Sequence, residues 1–132
     1  MILLNFILFS LAAMCNAVMY TCTHHYSTSV FKNLNPKFWN AEISWRSKYI
    51  DNDPKMGRKK WFWGINYPVQ ISDSFHFFKS LMIIFICLTI STFDRDSAFV
   101  EYNILSLFVI ILIYGIIWNL TFSLFYNKVL RK

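Results

Sequence analysis

Three long apolar segments, at about residues 2–22, 73–92 and 98–126, leave this chain of 132 residues few folds to choose from. A helix rises about 1.5 Å per residue, so about 20 apolar residues cross a bilayer core. Within hydrocarbon a lone segment satisfies its backbone only as a helix. The expected fold is therefore an all-α membrane protein with three transmembrane helices, forming one membrane domain over residues 1–132. Composition agrees, since only 15% of residues are charged and 20% are aromatic, where soluble domains carry about 25% charged residues.

The first segment, ILLNFILFSLAAMCNAVMY, is uncharged. A cleaved signal peptide is the rival reading, but no Lys or Arg forms an n-region. Ala12, Ala13 and Met14 also suit a lipoprotein cleavage site before Cys15 poorly, so a retained membrane helix is expected. The second segment is preceded by Ser72 and Asp73, either of which can cap a helix. A short outer turn, residues 93–97, holds Asp94, Arg95 and Asp96 and leads to the third segment, which Glu101 interrupts near its start. That segment exceeds the hydrocarbon thickness, so it should tilt or place its ends in the interfaces. A basic tail, residues 127–132, follows.

Residues 23–72 form a long loop with all three prolines, four of the five tryptophans and eight of the thirteen Lys and Arg. So long a connection is expected to be packed or membrane-associated. Indole rings beside cations favour the head-group layer, which makes Lys55, Arg58, Lys59, Lys60, Trp61 and Trp63 candidate contacts for anionic lipid. A folded cap whose aromatics bury one another is the alternative. Alternation over residues 41–49 (AEISWRSKY) suggests a short half-exposed strand. The run from Asp51 to Gly57 begins like a calcium loop, but Lys55 stands at its fifth position and Phe62 where a bidentate Glu belongs, so it reads as a turn. Neither a basic helix nor an RNP-like pattern accompanies the charge, and nucleic acid is not an expected partner. Cys15, Cys22 and Cys87 make no CxxC pair, so neither a disulfide framework nor a zinc site is indicated.

Projected at 100° per residue, the polar and small residues of each span align. Asn5 and Asn16 share a face of the first helix; Asp73, His76, Ser80, Cys87 and Ser91 a face of the second; Glu101, Gly115, Asn119 and Ser123 a face of the third. Such side chains line closely packed membrane helices, so the stripes are expected to face the inside of a bundle with the second helix at its centre. Ionisable groups at membrane depth are costly unless paired. His24 or His25 with Asp73 and His76, all near the loop end of the bundle, therefore form the candidate site.

Three readings compete for that cluster. A metal is disfavoured, because adjacent histidines diverge on a helix and only one His and one Asp join them. General acid and base chemistry is reasonable for a His with an orienting Asp, though no nucleophile elbow or phosphate-cradling loop accompanies it and no cofactor is implied. In the third, Asp73 caps a helix and the histidines bond at the interface. Lys79 lies off the stripe and can snorkel to the head groups.

The run HHYSTSVFKNLNPKFWNAEISWRSKYIDNDPKMG with SDSFHFFKSLM resembles a group of short uncharacterised membrane proteins of Bacteroidetes-type bacteria and their phages or mobile elements. The shared features over residues 24–82 are His24, His25, Ser29, Phe31, Trp39, Ser44, Trp45, Lys48, Tyr49, Asp53, Lys55, Gly57, Asp73 and His76. No activity, cofactor or catalytic residue comes with the group; the resemblance implies a bacterial inner-membrane setting. The functional expectation is a non-enzymatic accessory or oligomeric membrane component that pairs with itself or another membrane protein. A holin-like pore and a membrane-interface enzyme on lipid head groups are the alternatives.

Three spans place the loop and the tail on one side. The loop carries eight Lys and Arg and the tail three, against Arg95 alone on the other side. Positive charge near span ends stays in the cytoplasm, so the N-terminus is expected outside and the C-terminus inside. Alkaline phosphatase needs an oxidising compartment for its disulfides. Fused after Lys132 it should be inactive, and an active fusion would reverse the orientation.

Overall fold

The computed structural model describes residues 2–93 and 104–131; Asp94, Arg95, Asp96 and Glu101 lie outside the described residues. In chain order the helices are α1 (Ile2–His24), α2 (Pro36–Trp39), α3 (Ala41–Ser44), α4 (Ser74–Ser91) and α5 (Ile104–Leu124). A π-helical turn, Phe125–Val129, extends α5. Three helices are long and apolar enough to cross a membrane, and the described residues contain no β-strand, only three isolated bridges.

The bundle is organised around α1. It runs antiparallel to α4, so that Asn5 near its start meets Thr92 just past the end of α4. It runs parallel to α5, with Phe9 on Tyr114 and Trp118, and Tyr20 on Phe122 and Tyr126. Among the described residues α4 and α5 scarcely touch each other. The central position expected for the second helix therefore belongs to α1. Its small side chains are the reason: Ala12, Ala13 and Ala17 expose no surface, and Cys15, Thr21 and Cys22 are equally enclosed, so neighbours approach closely on both sides. At the start of α4, Asp73 is buried, His76 half-buried and Lys79 exposed.

Asn5 and Thr92 clasp the far end of the α1/α4 pair. The Asn5 amide donates to the Thr92 carbonyl at 3.1 Å, and the Thr92 hydroxyl donates to Asn5 Oδ1 at 2.6 Å. A hydrogen bond between membrane helices contributes about 0.6 kcal/mol on average, up to about 2. At the other end Val30 donates its amide to the Leu130 carbonyl at 2.9 Å, which brings the loop and the C-terminal tail together.

Within the loop, local capping decides the structure. Asn35 accepts from the Lys37 amide and starts α2 with Pro36 in its first turn, and Asn40 accepts from the Glu42 amide and starts α3. Residues 41–49 are thus not the expected strand; they are helical through Ser44 and 3-10 from Trp45 to Lys48. The Asn40 cap and a bond from the Trp45 indole to the Glu42 carbonyl at 3.0 Å outweigh the alternation. Phe31 stacks on Trp39 at 4.5 Å and Trp39 meets Phe78 of α4 at 5.9 Å, so this first half of the loop is a folded cap. Asp51 and Asn52 turn through positive φ, and Asp53 accepts from the Lys55 amide, as a turn requires.

Candidate functional site

The start of α4 gathers buried polar groups. Ser72, Asp73 and Ser74 are buried, with Asp73 only 1% exposed. Asp73 Oδ1 accepts from the His76 amide at 2.9 Å, which makes it the helix cap. Both carboxylate oxygens also lie within hydrogen-bonding distance of His76 Nδ1, at 2.9 and 2.8 Å. Ser72 Oγ lies 2.9 Å from Oδ2. A buried carboxylate is tolerable only with its lone pairs occupied, and this one has three neighbours to occupy them.

That geometry orients an imidazole. With Nδ1 directed at the carboxylate, Nε2 is left for a further partner, and the His76 side chain is 32% exposed. A His held in this way by Asp has the arrangement of a general base. Among the described residues, however, no hydrogen bond joins Nε2 to a hydroxyl or thiol. Ser74 is buried beside Cys22 of α1.

His24 and His25 take other partners. His24 packs its ring on Tyr20 at 4.5 Å and is exposed, while His25 packs on Tyr126 at 5.6 Å. The Arg131 guanidinium lies over the same Tyr126 ring at 5.3 Å. Desolvation, then the charge of Arg131, then His24, lower the pKa of His25 below its ordinary value. The structure thus brings Asp73 and His76 together and directs the other two histidines toward the aromatic residues shared by α1 and α5. Among the described residues no three His, Cys, Asp or Glu side chains are grouped to hold a metal ion.

The aligned polar residues separate by burial. Asn5 is buried, Asn16, Ser80 and Gly115 are half-buried, and Ser91, Asn119 and Ser123 are exposed. The expectation that the last three line the bundle interior is corrected: α4 turns Ser74 and Thr89 inward, and none of residues 105–129 is buried. Ser80 donates to the His76 carbonyl and Ser91 to the Leu88 carbonyl, so each is satisfied within α4. On α5, Asn119 donates to the Gly115 carbonyl at 2.8 Å and Asn127 to Ser123 Oγ at 3.1 Å. Sequence reasoning missed Asn127, although its four-residue spacing from Ser123 was the available signal. It also missed Thr92 as the partner of Asn5. Lys79 is exposed with its ammonium 5.9 Å from the Phe75 ring, one turn nearer the start of α4.

Of the loop cations and indoles, Lys55, Arg58, Lys60, Trp61 and Trp63 are exposed and Lys59 half-buried. Between α1 and α5 runs an apolar lateral cleft of about 390 Å³, lined by residues that include Phe6, Leu11 and Ile117. Comparison with known proteins finds no matching family model, no matching curated protein and no matching solved structure.

Asp73→Ala removes the cap and should destabilise the protein by about 1 kcal/mol, within the usual 0.5–2 kcal/mol for a cap. Asp73→Asn keeps an acceptor for the His76 amide and should cost less. Hydrogen exchange at the His76 amide, followed with thermal unfolding in detergent, reads both. Equal protection in Asp73→Ala and the parent would remove the capping role.

Proposed function

We infer that this protein is a non-enzymatic subunit of a bacterial inner membrane, with its N-terminus outside and its C-terminus in the cytoplasm, that associates laterally through α5. The partner is a second membrane helix, from another copy of the chain or from another membrane protein. One observation carries this reading: Asn119, Ser123 and Asn127 stand four residues apart along exposed surface of a span in which none of residues 105–129 is buried.

A carboxamide has two donor hydrogens and an acceptor oxygen. Asn119 commits one hydrogen to its own helix, at Gly115, and the remainder faces outward. Toward lipid tails such groups lack partners; toward another helix they find them. Gly115, one turn earlier, adds a place where a second backbone can come close. The neighbouring exposed Leu112, Ile116 and Leu120 supply apolar surface on either side.

The full chain reconstituted in vesicles should show a dimer or larger species whose population falls as lipid is added. Asn119→Leu with Asn127→Leu should weaken association about three- to thirtyfold, the equivalent of about 0.6–2 kcal/mol for interhelical hydrogen bonds. A protein that stays monomeric at every protein-to-lipid ratio and crosslinks to no other membrane protein in cells would overturn the reading.

A further inference from the structure

The second half of the loop ends in a small hairpin whose construction differs from the packed cap before it. The Lys59 amide bonds to the Lys48 carbonyl and the Tyr67 amide to the Lys59 carbonyl, which ties the base of the hairpin to the preceding turn. Lys60 Nζ donates to Asn66 Oδ1 at 2.9 Å, and the Trp61 amide donates to the Ile65 carbonyl at 2.7 Å. These polar bonds close the hairpin without using its apolar side chains. Trp61, Phe62 and Ile65 are half or more exposed, and Trp63 is 94% exposed.

Trp63 also has φ 51, in the left-handed region. A bulky residue is seldom found there, and glycine or asparagine would turn the chain with less strain. The strained turn holds the largest side chain at the tip. From residue 54 to residue 72 the chain carries Lys55, Arg58, Lys59 and Lys60 and no acidic residue. The tip is tethered close to the bilayer: Ile65 stands nine residues before Ser74, where α4 begins, so even an extended chain keeps it within about 30 Å of that span's end.

We propose that the tip formed by Trp61, Phe62, Trp63 and Ile65 inserts into the head-group layer of an anionic membrane, with Arg58, Lys59 and Lys60 on the phosphates around it. Indole rings favour that layer, and each cation at an anionic surface adds to the attraction. The inference rests on the three helices spanning a bilayer, and it adds a fourth contact made by the loop. Charge selects lipid as the occupant: a second copy of the hairpin would bring the same cations against each other.

The test uses the full chain in vesicles of phosphatidylcholine, alone or mixed with phosphatidylglycerol, with bromine placed shallowly on the acyl chains to quench tryptophan. Trp63→Phe alters only an exposed ring, and the difference from the parent isolates the Trp63 signal. That signal should be quenched by bromolipid, protected from aqueous acrylamide, and more strongly so with phosphatidylglycerol. Arg58→Glu with Lys59→Glu should abolish the dependence on phosphatidylglycerol. Quenching of the Trp63 signal by acrylamide in both lipids would overturn the proposal, as would protection from both quenchers, the sign of cover by protein. Failure of the chain to insert into vesicles would refute the spans themselves, which is distinguishable from an inserted protein with a water-exposed tip.

Discussion

The close approach of two helices to α1 is the interaction on which the remaining structure depends. Lipid tails are as apolar as leucine, so membrane helices gain little from hiding hydrocarbon and much from fitting backbones together. Ala12, Ala13 and Ala17 provide that fit, each without exposed surface. Because both contacts are made by α1, α4 and α5 keep much of their own surface free. A bundle built around a helix of small residues is therefore open by construction.

Polar groups then mark the ends and the outside of this arrangement. At one end of the α1/α4 pair, Asn5 and Thr92 exchange hydrogen bonds. At the other, Asp73 caps α4 and holds His76. The bond from the Val30 amide to the Leu130 carbonyl and the ring contacts around Tyr126 join the tail to the end of α1 and the region just after it. What is left over lies outside: the amides of α5 and the aromatic tip of the hairpin. Each is exposed, and each suits a different layer of a membrane.

Length and hydropathy made the three helices legible, since hydrocarbon admits few other structures for such segments. Asp73 and His76 share a face at the start of the second segment, and the structure joins them, whereas His24 and His25 take other partners. Periodicity was less informative about neighbours, because alignment along one face does not say whether that face meets protein or lipid. Hence Ser91, Asn119 and Ser123 align with inward-facing residues and yet stand outward. Residues 41–49 alternate like a strand, yet Asn40 starts a helix there, a local hydrogen bond that a two-residue pattern does not register. Three spans of this length bring His25 and Tyr126 to the same end of the bundle, but only the fold shows that their rings meet.

The position of α1 between its two neighbours is tested most directly by distance-limited crosslinking in the membrane, in a chain with Cys15, Cys22 and Cys87 replaced by serine or alanine. Asn5→Cys with Thr92→Cys, and Phe9→Cys with Trp118→Cys, should each link within one chain through a reagent spanning the usual interhelical distance of about 8–10 Å. Ile83→Cys with Ile113→Cys, which joins α4 to α5, should not. Efficient linkage of the α4 and α5 pair within one chain, with weak linkage to α1, would contradict the account.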